Sequence, residues 1–345
     1  MKPRDIVSEQ IHHRETSPLP FTLGFEQGVD ARLDQHYGTD SWREWLPAYV
    51  VNVTTIDEDR QSPIDDTTYR DAFGSVWSTA GRPVHLLEPG LKSPSFEGYE
   101  FPSWEIFVDD DRRKQALETC AKYADSFLVA GFGWGLFERP WIIRGFENAF
   151  SDMIVEADFY EELLDRVLEM HLKFVEVSAQ LPVDGIMFSD DWGDQRGVLI
   201  GPERWRRLLK PRLAKLYEAV HSHGKIALSH CCGSVTDIIP DIIEIGLDVL
   251  QSIQPEAMNP YELKAKWGDK ITFWGGLGSQ SVIPFGTREA IFEEVSRLCD
   301  VMPRGGGYIL GPAKALQPET SGANAAAVLE AFLQFSGHDA AVPSG

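Results

Sequence analysis

From about residue 120 onward, short apolar runs alternate with longer amphipathic stretches. The runs are "SFLVAGF" (126–132), "DGIMFSDD" (184–191), "KIALSHC" (225–231), "DVLQSIQP" (248–255), "KITFWGG" (270–276) and "GYILGPA" (307–313). Each is short and enriched in β-branched or aromatic residues, the pattern of a strand buried on both faces. Between them, residues 159–181, 202–224, 235–246 and 287–302 carry the 3.6-residue period of helices with one buried face. Gly224 reads as a C-terminal cap of the second helix, and Pro211 predicts a kink or split within it. Pro240 falls inside the third helix, and Thr287 reads as the N-cap of the fourth.

This alternation predicts a parallel sheet with helical crossovers. "FTLGF" (21–25) and "AYVVNVT" (48–54) bring the expected strands to eight. The expected architecture is α/β, a single (β/α)8 TIM barrel spanning residues 1–338. An open doubly wound sheet has the same periodicity and stays open as an alternative. Residues 56–112 break the rhythm with Pro, Gly and aromatics among polar residues. They predict an inserted loop region, or a small antiparallel ribbon, near the barrel mouth. The tail 339–345 is expected to be disordered.

Composition narrows the partners. The 345 residues are 43% hydrophobic, ample for a large core, and 53 acidic against 32 basic residues give a net charge of −21. Such a surface repels phosphate backbones, so no nucleic-acid partner is expected. Four cysteines are too few for a disulfide framework in a chain of this size. The N-terminus "MKPRDIVSEQ" has no apolar signal core, and no apolar run approaches roughly 18 residues. The expectation is a cytoplasmic, reduced protein without membrane contact.

In parallel α/β proteins the chemistry gathers at the carboxyl ends of the strands. Asp190 and Asp191 end one expected strand; His230, Cys231 and Cys232 end the next in "ALSHCCGSV". Gln254 and Glu256 follow, then Gln280, then Lys314 and Gln317. If the strand runs through them, His230 and Cys232 share one side and Cys231 takes the other. An imidazole and a thiolate on one side are natural zinc ligands, and Glu256 can add an oxygen. Core packing accounts for the same two residues equally simply. A redox pair is disfavoured, because adjacent cysteines bridge only with strain. Of Asp190 and Asp191, one is expected to meet substrate and the other to be structural, for instance as a helix cap. The stretch "GFGWG" (131–135) departs from the dinucleotide fingerprint and reads as close packing. "MPRGGGY" (302–308) reads as a helix-to-strand turn. Trp192, Trp274 and Phe188 are either pocket walls or core.

The segments "DDWGDQRG", "KPRLAKLYEAVHSHGK", "SHCCG", "IIPDIIEIGLDVLQSIQPEAMNP", "FWGGLGSQ", "IPFGT" and "GGGYILGPAKALQPET", in this order, resemble the uroporphyrinogen decarboxylase superfamily. They look most like its cobalamin-linked, zinc-dependent methyltransferase-type branch. The resemblance runs from about residue 120 to 335 and is diffuse upstream. It implies one (β/α)8 barrel that moves a methyl group between a corrinoid on a partner protein and a small thiol or methoxylated substrate. It further implies zinc on His230 and Cys232, with Glu256 as the third ligand. The family's remaining cysteine ligand falls at or beside Lys314, a departure that leaves a metal-free site with a Lys314–Glu256 ion pair as an alternative. Asp190 or Asp191 would orient the substrate and Lys314 lend charge, as catalytic residues. Gln195, Arg196, Trp192 and Gln280 would bind substrate, and the resemblance also allows a homodimer. Two other readings remain: uroporphyrinogen decarboxylation, with Arg139, Arg144 and Arg196 supplying local positive charge, and a barrel that only binds ligand.

Overall fold

A computed structural model describes residues 1–58, 60–81 and 83–338; the expected disordered tail, 339–345, lies outside the described residues. The strands in chain order begin with β1 (Val50–Val53). Next come β2 (Gln61–Pro63), β3 (Thr68–Asp71), β4 (Val76–Ser78) and β5 (His85–Glu88). Then follow β6 (Phe127–Phe132), β7 (Gly185–Ser189) and β8 (Ile226–His230). The last are β9 (Val249–Ile253), β10 (Thr272–Leu277) and β11 (Tyr308–Pro312). Seven of them form one curled sheet in the order β1-β6-β7-β8-β9-β10-β11, and every neighbouring pair in it is parallel.

The sheet is barrel-like, with helices packed outside it, but it has seven ladder strands where eight were expected. The missing one is 21–25, which touches β11 and its following loop only through isolated parallel bridges, Phe21 to Leu310 and Phe25 to Leu316. Pro20 just before it cannot donate a ladder hydrogen bond, and Gly24 weakens its centre. Residues 61–88 form a separate four-stranded antiparallel sheet, β2-β3-β4-β5. That sheet is tied to the body at its β3–β4 turn: Ser75 Oγ donates to Ile142 O (2.7 Å), Tyr99 OH donates to Phe73 O (2.9 Å), and the Arg139 guanidinium lies 4.6 Å from the Phe73 ring.

The helices follow their sequence periods. Ala157–Ala179 buries Tyr160, Leu163, Leu164, Val167, Phe174 and Val175 along one stripe; each fully buried large apolar side chain stabilises by about 1.5–3 kcal/mol. The helix expected over 202–224 is split into Pro202–Leu208 and Lys210–Ser222, with Pro211 in the first turn of the second piece, where its missing N–H costs nothing. Gly224 has φ +68° just beyond it, as the cap requires. The region 235–246 is a short 3-10 turn, Thr236–Ile238, followed by the helix Ile239–Glu244, and Pro240 sits in that helix's first turn. Thr287 caps Arg288–Val301, its side chain accepting from Ala290 N. No described helix is long and apolar enough to cross a membrane.

Candidate metal centre

The register of β7 on β8 pairs Ser189 with His230 and so sets the two strand ends side by side. Asp191 is therefore next to the His230–Cys232 segment. His230 Nε2 lies 3.4 Å from Cys232 Sγ and 4.0 Å from Asp191 Oδ1. One donor atom from each of Asp191, His230 and Cys232 lies within 4.8 Å of the other two. β8 ends at His230 rather than running on through Cys232, yet the imidazole and the Cys232 thiol still come together. Cys231 is fully buried on the other side, where its Sγ accepts from Trp192 N at 3.2 Å. Burial lifts the Cys231 thiol well above its usual range, so it stays a packing residue.

Two loops hold this arrangement. Gly233, with φ +75°, lets the turn after β8 lie against the turn after β7; a Cβ there would sit 2.5 Å from Gly193 C. Gly135 lets the segment after β6 reach Asp190, since a Cβ on it would lie 2.5 Å from Asp190 Cβ. "GFGWG" is thus a close-packing device, as its spacing suggested. Asp190 uses this proximity to accept hydrogen bonds from Phe137 N (2.9 Å), Glu138 N (2.9 Å) and Trp192 Nε1 (2.7 Å).

Of the two aspartates, of which one was expected to be structural, Asp190 takes the structural place. Asp190 is 1% exposed with its oxygens committed to the scaffold, while Asp191 is partly open. Trp192, expected to bind substrate, is fully buried against Trp205, ring centroids 5.6 Å apart. Phe188 is core as well, 2% exposed. Glu256, expected as the third ligand, is engaged elsewhere: its Oε1 accepts from Gln280 N (3.0 Å) and Ser281 Oγ (2.6 Å). It stays within its own loop system because the turn after β10 captures it, and Asp191 stands in the place given to it. Lys314 forms no ion pair with Glu256; its backbone N donates to Ser279 Oγ at 2.8 Å and its side chain is exposed. Gln195, Arg196 and Gln280 are all exposed, and Arg196 pairs with Asp194 at 3.3 Å.

Two residues with direct influence on the site were missed in the sequence. Gln251 in β9 accepts with Oε1 from His230 Nδ1 at 3.0 Å. With its proton on Nδ1, the imidazole presents the Nε2 lone pair to Cys232 and Asp191. A glutamine inside the apolar run "DVLQSIQP" was the available signal. Glu138 accepts from Asp191 N at 3.2 Å through Oε2, and nothing local in the sequence marks it. Burial, with Asp190 and Asp191 close by, raises the Glu138 carboxyl above the usual range, and burial also raises Asp190 against its hydrogen bonds. Burial, with Asp191 adding to it, pushes the Cys232 thiol up to about 12, against an opposing pull from Lys314. This concentration of carboxyls around an imidazole and a thiol favours a cation, which would draw the thiol to its anionic form.

Two cavities meet here. One, of about 450 Å³, reaches into the barrel and is lined by His230, Gln251 and Trp274 among others. The other, of about 330 Å³, lies at the strand ends and is lined by Cys232, Gln195 and Gln280 among others. Lys314 borders both. Trp274 is thus a wall.

Residues 111–335 match the family model of uroporphyrinogen decarboxylase (URO-D). The chain belongs to the uroporphyrinogen decarboxylase family. That finding agrees with the barrel-like sheet and with the motifs at its strand ends. Among curated proteins, none matches the sequence. A solved methyltransferase from Methanosarcina mazei is similar in fold: TM-score 0.74 at 18% identity, over 97% of this chain and 99% of that one. A xylose isomerase-like TIM barrel protein from Mycobacterium smegmatis aligns over 67% of this chain and 79% of that one, with 12% identity and a TM-score of 0.37.

Proposed function

We propose that this member of the uroporphyrinogen decarboxylase family is a methyltransferase. It moves a methyl group between a corrinoid carried by a partner protein and a small thiol or methoxylated substrate. The observation that carries the reading is the His230 Nε2–Cys232 Sγ pair, 3.4 Å apart, with the Asp191 carboxylate beside it. The donor set, one nitrogen, one sulfur and one oxygen, is chemically that of a zinc site with a coordination position left for substrate. A zinc ion there would supply Lewis acidity, lowering the pKa of a substrate thiol or hydroxyl.

The chain's own residues do the rest. Gln251 fixes the His230 tautomer. Asp191, anchored by Cys232 N at 2.8 Å, places a carboxylate at the junction of the two cavities. Asp190 holds the segment after β6, and Glu138 with it, against the site. Gln195 and Gln280 offer hydrogen bonds to the polar part of a ligand. We read residues 1–338 as one catalytic unit, with the antiparallel sheet as an insertion beside the mouth.

The arginines favour this reading over tetrapyrrole decarboxylation. Arg139 and Arg144 are buried and pair with Glu58 (3.3 Å) and Asp152 (2.7 Å), so they are unsuited to gripping a ligand rich in carboxylates.

Metal analysis of the purified protein tests the proposal. Wild type should carry about one zinc per chain, and Cys232→Ser should lose it while keeping its fold. A wild type free of zinc after purification in zinc-supplemented buffer rules out the chemistry as drawn.

A further inference from the structure

The two cavities that meet at the His230–Cys232 pair differ in character. The outer one is walled by amides and hydroxyls, among them Gln195, Gln254, Gln280 and Ser252. The inner one is walled by Phe21, Leu46, Tyr49, Met187 and Trp274. The polar atoms of its two largest walls are already used. Tyr49 OH is 2.8 Å from His338 Nε2, and Trp274 Nε1 donates to Thr22 Oγ1 at 2.8 Å. What these walls offer a ligand is rigid ring surface.

The interior of a parallel barrel is ordinarily filled by layers of side chains. Gly131 of β6 is in register with Met187 of β7, which lines the hollow, and a Cβ at Gly131 would meet nothing within 4 Å. Two polar groups break its apolar lining without a partner of their own. Among the described residues the Asn52 amide makes no hydrogen bond, and the Lys314 ammonium makes neither a hydrogen bond nor an ion pair, yet both border the cavity. At about 450 Å³ the hollow falls within the range of small-molecule sites, roughly 300–1,000 Å³.

We infer that the small substrate is a flat, largely apolar molecule lying inside the barrel, with one anionic substituent held by Lys314 next to the group that reaches His230. This rests on the methyl-transfer reading for the identity of the reacting group, but on the cavity alone for the shape and charge of the ligand. The hydroxyl-rich compounds that the outer chamber's amides would suit are excluded from the inner one, because its walls leave their hydroxyls unpaired.

Three probes test it by calorimetry and by quenching of tryptophan emission, with zinc-loaded protein and no methyl donor present: 2-methoxybenzoate, methoxybenzene and methyl α-glucopyranoside. The benzoate should bind and the glucoside should not. Lys314→Met should weaken the benzoate by about tenfold or more, the loss of one charge-assisted hydrogen bond, and leave methoxybenzene nearly unchanged. Gly131→Leu, which fills the hollow, should abolish binding of both ring compounds with zinc content unaltered. Should that variant fold poorly, Val50→Phe on the neighbouring strand β1 fills the same cavity, which Val50 lines. Preference for the glucoside, or undiminished ring binding in the filled variant, overturns the inference. Ring binding without methyl transfer in the presence of a methylcorrinoid sinks the functional proposal and leaves this one standing; methyl transfer to the glucoside does the reverse.

Discussion

His230 serves a cation only through a lone pair, and the residue that decides which nitrogen carries it is Gln251, 3.0 Å from Nδ1. Gln251→Leu removes the acceptor and frees the ring to swap tautomers. Zinc affinity, measured by competition with a chromophoric chelator, should fall roughly 10–100-fold, the usual effect of losing such an outer partner. Gln251→Glu should restore or exceed the wild-type value, since a carboxylate orients the ring and raises its basicity. At this scale the sequence was legible in part. His230 and Cys232 were found from a spacing of two, which strand geometry converts directly into a shared side. Asp191 was in view, but its rank above Glu256 was not. That ranking depends on which strand end a loop leans toward, and the turn at Gln280–Ser281 captures Glu256 through hydrogen bonds that no spacing rule encodes.

The elements that carry these residues are held in place by close approach rather than by long loops. Gly135 is one such point, because its missing Cβ makes room for Asp190 and lets the carboxyl cap Phe137 N and Glu138 N. Gly135→Ala should cost on the order of 1–3 kcal/mol, an overpacking penalty, read as a lower midpoint in urea unfolding. It should also weaken zinc binding, since Asp191 follows Asp190. Strand and helix positions were largely readable, because period and punctuation are local. Pro211 divides one helix, Thr287 caps another, and each apolar run became a strand within a residue or two of its expected ends. The antiparallel sheet was foreseen only as one of two alternatives, a loop region or a small ribbon, with no strand bounds. Its strands are three or four residues long, and β2 and β5 are mostly exposed, so they lack the alternation that would mark them. Segment 21–25 has strand composition, yet whether it pairs is decided by neighbours distant in sequence.

For the molecule as a whole, one buried histidine makes a separable contribution to the response to mild acid. His171 is fully buried in the helix Ala157–Ala179, with Nδ1 donating to Val167 O at 2.9 Å. Burial pushes its pKa down from 6.5 to about 4. Above pH 6.5 folded and unfolded chains both hold it neutral, and its stabilising effect is complete. As pH falls toward 4, only the unfolded chain takes up the proton, so the folded state loses ground by up to roughly 3 kcal/mol. The raised carboxyls of Asp190 and Glu138 act in the opposite sense, so the test is a difference. Between pH 6.5 and 4, the stability of wild type relative to His171→Phe should fall, measured by urea unfolding at each pH. Identical slopes would remove His171 from the account. The family and the parallel α/β architecture were legible at this scale, because they follow from motif order and from alternation summed over many elements. The hollow inside the sheet was not, since it is lined by residues of six strands that only their mutual register brings together.

The loose attachment of 21–25 also bears on how the cylinder can yield. The seven ladder strands are laced to one another, whereas 21–25 meets β11 and its following loop at two isolated bridges and forms no ladder with β1 among the described residues. Thermal breathing will concentrate along that single seam, the same line that runs beside the hollow. A guest wider than the resting space can enter there by parting two short backbone bridges, with no ladder torn anywhere else in the wall.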